Sequence, residues 1–400
     1  MRTNRTTYDV IVVGGGPAGL TAAIALAAAG RETAVISRRP PVPDNRTTAL
    51  LTGSVAALDA LGVWRLAAQH AAPLAGIRIV DDTARLIRAP EVMFTAAEIG
   101  LEAFGQNIEN RHLVAALEAR AAGLAHLTRI EAGAQSVAVG DDAATVTLED
   151  GAVLEAPLVV GADGRQSICR AAAGIETESR SYPQAALTVN LAHTRRHDGV
   201  STEFHTQAGP FTLVPLPGRQ SSLVCVVEPH EAQRLGALDD AELADEIERR
   251  AHSILGRITI ASERGIFRLG TQTARAFARN RVVLVGEAAH VIPPIGAQGL
   301  NLGLRDAATV ADLVADADGD LGAPALLARY DRQRRVDVTS RTMAVDLLNR
   351  TLLTDFLPVQ GARGFGLYLL DRIGPLRRAV MREGVMPIAA QPRLMRGELP

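Results

Sequence analysis

The stretch Tyr8-Asp-Val-Ile-Val-Val-Gly14-Gly-Gly-Pro-Ala-Gly19 decides the fold. Its β-branched run predicts a strand from Tyr8 to Val13, followed by a glycine turn, an alanine-rich helix to about Ala29, and a second strand at Thr33 to Ile36. Strand, Gly14-x-Gly16-x-x-Gly19, helix, strand is the dinucleotide-binding fingerprint in its required context. Gly14 permits the tight turn, Gly16 lets backbone amides approach a pyrophosphate, and Gly19 lets helix and strand pack closely. The helix N-terminus adds a partial positive charge for the phosphates. An acid about 20 positions on normally holds the ribose hydroxyls. Ser37 stands there instead, followed by Arg38 and Arg39, which suit a 2′-phosphate. The motif by itself therefore leaves FAD, NAD and NADP open.

Two further turns follow strands. Gly161-Ala-Asp-Gly164 comes after Leu158-Val-Val160 and before a helix containing Ser167 to Ala173, so Asp163 sits at a strand's carboxyl end, where open α/β sheets bind ligands. Asp150-Gly151, by contrast, joins Thr145-Val-Thr-Leu to Val153-Leu-Glu-Ala and reads as a hairpin turn. The third turn follows the strand Val282-Val-Leu-Val285 and runs Gly286-Glu-Ala-Ala-His-Val-Ile-Pro-Pro-Ile-Gly-Ala-Gln-Gly-Leu-Asn301. Glu287 can accept hydrogen bonds from a polyol, Pro293 and Pro294 fix the loop, and Gly296 and Gly299 clear space beside a planar ligand. A long helix begins at about Gln298 and ends near Asp316, and its first amides favour an anion, such as the N1 and C2 oxygen region of a reduced flavin.

Between these segments, from Ala185 to Val227, short strands alternate with Asp198-Gly199 and Pro217-Gly218 and predict an antiparallel sheet. Asp239 or Asp240 caps a helix running to about Leu255. The expected fold is mixed α/β: a Rossmann-like dinucleotide-binding domain, an FAD-binding domain if the ligand is a flavin (1–75, 101–180 and 270–325), an inserted antiparallel-sheet substrate domain (76–100 and 181–269) and a C-terminal helical region (326–400). A length of 400 residues suits two or three domains.

Composition narrows the chemistry. All 42 basic residues are arginine, so mechanisms that need a lysine amine, including Schiff bases and the P-loop lysine, are excluded. A net charge of -2 gives no field for nucleic acid. Cys169 and Cys225 form no CxxC, which fits a reducing cytosol and indicates no zinc or other metal site. His193 and His197 have helical metal-pair spacing but lie in a strand end and a polar turn, where surface histidines are expected. Asp9 and the glycines break the N-terminal apolar run, so it reads as a strand and turn and not as a signal peptide.

The three glycine-bearing segments together resemble single-component FAD aromatic hydroxylases of the para-hydroxybenzoate hydroxylase fold, over essentially the whole chain. Asp44-Asn-Arg-Thr-Thr-Ala-Leu50 and Gly299-Leu-Asn-Leu-Gly-Leu-Arg-Asp306 look closest to the ubiquinone-biosynthesis hydroxylases. The resemblance implies reduced flavin reacting with O2 to a C4a-hydroperoxide that hydroxylates an electron-rich, prenylated phenol, with NAD(P)H or a separate reductase as electron source. It gives a candidate cofactor-binding set of Gly14, Gly16, Ala18, Gly19, Ser37, Arg38, Arg46, Arg111, Asp163, Gly164, Gly286, Glu287, Pro293, Gly296, Gln298, Gly299, Leu300 and Asn301. Within that set, Arg46 and Arg111 would contact FAD, and Glu287 would replace the usual aspartate on the ribityl chain.

No catalytic triad is expected because the flavin carries the chemistry, which leaves His290 and Pro293 as the only candidates for a direct role. Three alternatives stay open: a hydroxylase of a small soluble phenol or aromatic acid, another flavin oxidoreductase such as a prenyl reductase, and a flavoprotein assembly component without turnover. A halogenase would need the absent lysine. Residues 351 to 400 hold seven arginines against four acids, so that segment is +3 and the remainder -5. With Phe356, Leu357, Phe365, Leu367 to Leu370 and Ile373 beside Arg372, Arg377, Arg378 and Arg382, it suits an anionic lipid surface or a quinone-pathway partner. The expected location is the cytoplasm, peripheral to the inner face of the membrane.

Overall fold

The computed structural model describes residues 5–38, 44, 46–83, 90–293, 297–353, 372–385 and 391–400, with the backbone alone for 344–353. Val10–Val13, with side chains buried on both faces, lies at the centre of a parallel sheet ordered Val282–Leu284, Leu158–Gly161, Val10–Val13, Thr33–Ile36, Leu127–Ile130. Such unbroken burial is what a parallel sheet covered by helices demands, and it explains why these strands read as apolar runs without alternation. Ala278–Arg279 adds a short antiparallel edge. The two glycine turns therefore leave adjacent strands at the same sheet end.

Helix Pro17–Ala28 crosses between this sheet and helix Gln298–Ala315. Small residues bring them together: a Cβ on Gly303 would lie 3.2 Å from the Ala18 methyl and 3.2 Å from Gly286 Cα. Tyr330, on the long helix Pro324–Leu353, is fully buried and donates its hydroxyl hydrogen bond to Leu284 O at 2.7 Å, fastening that helix to the sheet.

The predicted Asp-Gly hairpin forms with Ala144–Leu148 and Val153–Ala156 as its arms and Gly151 at φ +85°. The antiparallel sheet is larger than the sequence indicates. It runs His290–Val291, Gly265–Ala274, Thr177–His193, Gln220–Val227, Pro210–Leu216, Val200–His205, Gly76–Asp81, Val92–Thr95, and Val200–His205 pairs with Gly76–Asp81 in parallel while the other neighbours are antiparallel. Thr177–His193 continues through Pro183 because a register shift between Ser181 and Ala185 removes that residue from the ladder. One face, with Leu187, Leu191, Phe211 and Leu223, packs against helices Pro229–Ala237 and Asp240–Arg250. Asp239 caps the second helix and Glu242 completes the box, but the helix stops at Arg250, five residues before the expected end. His252 and Ser253 there adopt positive φ. The opposite face turns Ala186, Val226 and Leu269 away from those helices.

His193 is a second correction. It is buried at 6% exposure, with Nδ1 at 2.7 Å from Arg195 O and Nε2 at 3.0 Å from Ser221 Oγ, and only a ring-edge contact joins it to His197. The sheet absorbs it because both ring nitrogens find partners there. Among the described residues no group of histidines, cysteines and acids could hold a metal ion, and no helix is long and apolar enough to cross a membrane.

Candidate functional site

At the carboxyl end of the parallel sheet the glycine turn opens onto a cleft of ≈ 280 Å³ bordered by Gly14, Ser37, Arg38, Gly133 and Asp163. Gly14 sits at φ +119°, and a Cβ there would lie 2.1 Å from Ala162 O, so only glycine fits. Gly19 is equally constrained, by Gly14 O at 2.1 Å. Gly16 differs. Its backbone is extended, at φ -72° and ψ 172°, and a Cβ on it would meet nothing within 4 Å. The fold would accept a side chain at Gly16; what it would fill is the open approach to the helix N-terminus. Ser37 Oγ lies against Gly15, where a Cβ would be 2.0 Å away. Asp163 accepts from Cys169 N through Oδ2 at 3.2 Å, while its Oδ1 is buried without a hydrogen-bond partner. An orphaned carboxylate oxygen beside an open glycine cradle suits a ligand bearing hydroxyls and phosphates. Gly164, at φ +79°, completes that turn.

The third turn delivers an exposed Glu287 on a short 3-10 helix, Gly286–Ala288. The Asp44 hydrogen bond raises the Arg46 pKa against burial, and the charges of Asp44 and then Glu287 add to it. Arg46 grips Asp44 through Nε at 2.9 Å and Nη2 at 2.7 Å, and Asn110 Nδ2 donates to the same carboxylate at 2.9 Å. Its guanidinium lies 5.5 Å over the Phe267 ring, so Arg46 joins the glycine-turn side to the antiparallel sheet. Arg111 pairs with Glu109 at 2.8 Å, and Glu109 also accepts from Asn190 on that sheet at 2.7 Å. In helix Gln298–Ala315 a Cβ on Gly299 would meet nothing within 4 Å, which leaves the helix entrance clear.

Several expected contacts are used up internally. Arg38 Nε donates to Glu149 at 3.0 Å, so its charge is compensated and does not stand free for a 2′-phosphate. Ala18 is the helix-crossing contact. Asn301 spends its whole amide on the protein: Oδ1 accepts from Leu51 N and Ser54 Oγ, and Nδ2 donates to Ala49 O and Ala297 O. It thereby holds Ala297 in the left-handed conformation that starts the helix. Gln298 accepts from Arg341 Nη1 at 3.1 Å. Leu300 packs against the core, and Pro293 is buried. Gly296 lies outside the described residues.

His290 is corrected as a candidate acid or base. Its side chain is fully buried and bonds Asp306 Oδ2 through Nε2 at 2.7 Å, so it cannot meet a substrate. Asp306 also accepts from Gly286 N at 2.9 Å and Arg334 Nε at 2.6 Å. Burial raises the Asp306 pKa, but the charges of His290 and Arg334 and the hydrogen bonds from His290 and Gly286 outweigh it and hold the carboxyl below its usual value. This network fixes the Glu287 turn from behind. Sequence reading missed Arg334, which is one of four arginines between Arg329 and Arg335, with no local pattern to separate it from its exposed neighbours.

Three comparisons bear on this geometry. The family described as FAD binding domain matches residues 7–344. Ubiquinone hydroxylase UbiL of Rhodospirillum rubrum is 37% identical, over 97% of this chain and 92% of its own. The 3-demethoxyubiquinol 3-hydroxylase of Escherichia coli is 30% identical, over 95% and 98%. Among solved structures, p-nitrophenol 4-monooxygenase PnpA from Pseudomonas putida superposes with a TM-score of 0.77 at 22% identity, covering 96% of this chain and 97% of its own, a likeness of fold. A glycine cradle built for a dinucleotide and relatives matched nearly end to end agree: the chain belongs to the FAD binding domain family, alongside the ubiquinone hydroxylases.

Proposed function

We propose that the protein is an FAD-dependent monooxygenase that hydroxylates the aromatic ring of a prenylated phenol in ubiquinone biosynthesis. The observation that carries this reading is the cradle, in which Gly14, Ser37 and Asp163, with its orphaned oxygen, border one cleft at the sheet's carboxyl end and Gly16, in the same turn, has room beside it. Near-complete likeness to ubiquinone hydroxylases supports the substrate class. The bound flavin supplies the activation of O2; the chain supplies binding, orientation and dryness. Gly14, Gly16 and the amides of helix Pro17–Ala28 would hold the pyrophosphate, and Ser37 the adenosine ribose. Asp163 and Glu287 would accept from the remaining hydroxyls, with Arg46 balancing Glu287. The first amides of helix Gln298–Ala315 would favour negative charge on the bound ring system. The apolar face with Ala186, Val226 and Phe267 would exclude water and orient the substrate ring.

The FAD-loaded protein, given a reductant, is expected to consume O2 faster when a phenol carrying one prenyl unit is added. Uptake unchanged by that phenol and raised by an unprenylated aromatic acid would move the assignment to a soluble substrate. No change with either would favour the assembly component.

The source of a prenylated substrate bears on the C-terminal segment. Helix Gly374–Val385 exposes Leu376 and Val380 at 42% and 47%, in line with Ile373 just before it at 43%, and exposed Arg378 and Arg382 stand beside them. Arg377 is not part of that surface. It is buried, pairs with Glu98 at 2.6 Å and stacks 4.4 Å over Phe94, which holds the Glu98 carboxyl down to about 2. Phe356, Leu357, Phe365 and Leu367 to Leu370 lie outside the described residues. We infer that this stripe meets an anionic membrane. Each arginine near such a surface is worth about 1 kcal/mol, so Arg378→Gln with Arg382→Gln should weaken vesicle binding by roughly thirtyfold at low salt. Equal flotation of mutant and wild type on phosphatidylserine vesicles would leave the two arginines as a solvated face.

A further inference from the structure

Behind the Glu287 turn, helix Gln298–Ala315 meets helix Pro324–Leu353 through a compact cluster of charges. Asp337 accepts from Arg334 Nη1 at 2.8 Å and from Arg341 Nε at 3.0 Å, and Arg305 Nε approaches the same carboxylate at 3.1 Å without hydrogen-bond alignment. Asp306 is occupied by His290, Gly286 N and Arg334. Among the described residues the cluster holds three guanidinium groups, Arg305, Arg334 and Arg341, against two carboxylates, Asp306 and Asp337. The guanidinium groups outnumber the carboxylates by one, in a place where a buried charge is costly unless paired.

The excess is located on Arg305. It is 9% exposed, and among the described residues its one ionic contact is the misaligned approach to Asp337 and no other acceptor reaches its guanidinium. Arg334 Nη2 is likewise buried without a partner. Burial lowers the Arg305 pKa to about 10, and the charges of Arg341 and Arg334 work in the same direction against Asp337 and Asp306. A cavity of ≈ 20 Å³ lies beside it, lined by Arg305, Arg341, Gln298, Asn301, Gln391 and Met395. That is above the roughly 10–15 Å³ that one water-sized particle requires.

We propose that this cavity is a binding site for a monatomic monovalent anion, chloride being the probe, held between the Arg305 and Arg341 guanidinium groups. The anion offsets the excess guanidinium charge and ties together three parts of the chain: the first turns of helix Gln298–Ala315, the long helix, and the terminal segment at Gln391 and Met395. Arg341 also donates to Gln298, so the anion sits one side chain away from the entrance of the helix assigned to the flavin. The site depends on charge count and cavity size and is independent of the flavin and substrate assignments.

Thermal unfolding of the FAD-loaded protein in sodium chloride and in sodium gluconate at equal ionic strength tests it. Wild type should melt higher in chloride, by an amount that saturates with concentration, and Arg305→Leu should lose the difference. Arg341→Gln serves as the second variant and should also lose it. Crystals soaked in sodium bromide should show an anomalous peak between Arg305 and Arg341. Identical melting of wild type in the two salts, an undiminished chloride effect in both variants, or bromide peaks only elsewhere would each overturn the proposal.

Discussion

Gly16→Val should yield a folded protein that purifies without FAD. At most glycines of a nucleotide turn such a result would be ambiguous, because the substitution breaks the turn: at Gly14 and Gly19 a Cβ would meet backbone oxygen at 2.1 Å. Gly16 is the exception. It has an extended backbone that valine adopts, and a Cβ there meets no atom within 4 Å. Loss of FAD with far-UV circular dichroism unchanged therefore reports the occupied approach to the helix N-terminus and nothing else. Failure to bind a pyrophosphate removes several charge-assisted hydrogen bonds worth roughly 1.5–3 kcal/mol each, enough to take binding out of a measurable range. Full flavin occupancy in Gly16→Val would put the pyrophosphate elsewhere.

Asp306→Ala is expected to cost about 3–5 kcal/mol of stability, the typical result of stripping one partner from a buried ion pair. The mutation leaves His290, fully buried, without its Nε2 acceptor and Arg334, 3% exposed, with Asp337 alone, and it removes the acceptor of Gly286 N in the turn that carries Glu287. Equilibrium denaturation with urea measures the loss, and FAD affinity should fall with it because the Glu287 turn is no longer braced. The same carboxylate sets an acid limit. Its folded pKa lies below the usual value near 3.8, so its contribution is fully present above that value and is lost as pH falls through the folded pKa. Wild type should therefore lose stability more steeply than Asp306→Ala below about pH 4. A mutant as stable as wild type at pH 7 would mean that the network is not what braces the turn.

The parallel core and its ligand edge were legible in the sequence because each signal was local. Val10–Val13 and Leu158–Gly161 are buried on both faces and so read as apolar runs, and the glycine spacing after Val13 is dictated by backbone approaches of about 2 Å that no other residue survives. The helix from Gln298 to Ala315 announced itself by its glycines and its apolar period. What stayed hidden were pairings over long sequence separations. Nothing near Asn301 says that its amide will clamp Ala49, Leu51 and Ser54, so it looked like a cofactor ligand. Arg377 read as a surface charge because Glu98 and Phe94, its partners, are 279 or more positions away in the chain. His290 looked exposed enough to act because the acid that buries it, Asp306, comes one long turn and two helical turns later. The length of Thr177–His193 was masked by Pro183, which a register shift takes out of the ladder.

Ring hydroxylation by the FAD-loaded protein is the central claim, and the oxygen-uptake assay run under 18O2 tests it most directly. With a singly prenylated phenol and a supplied reductant, the account predicts a product heavier by one 18O atom on the ring, the second atom leaving as water, and no label from H2 18O. O2 consumed wholly to hydrogen peroxide with the phenol recovered unchanged, or ring oxygen drawn from water, would contradict it.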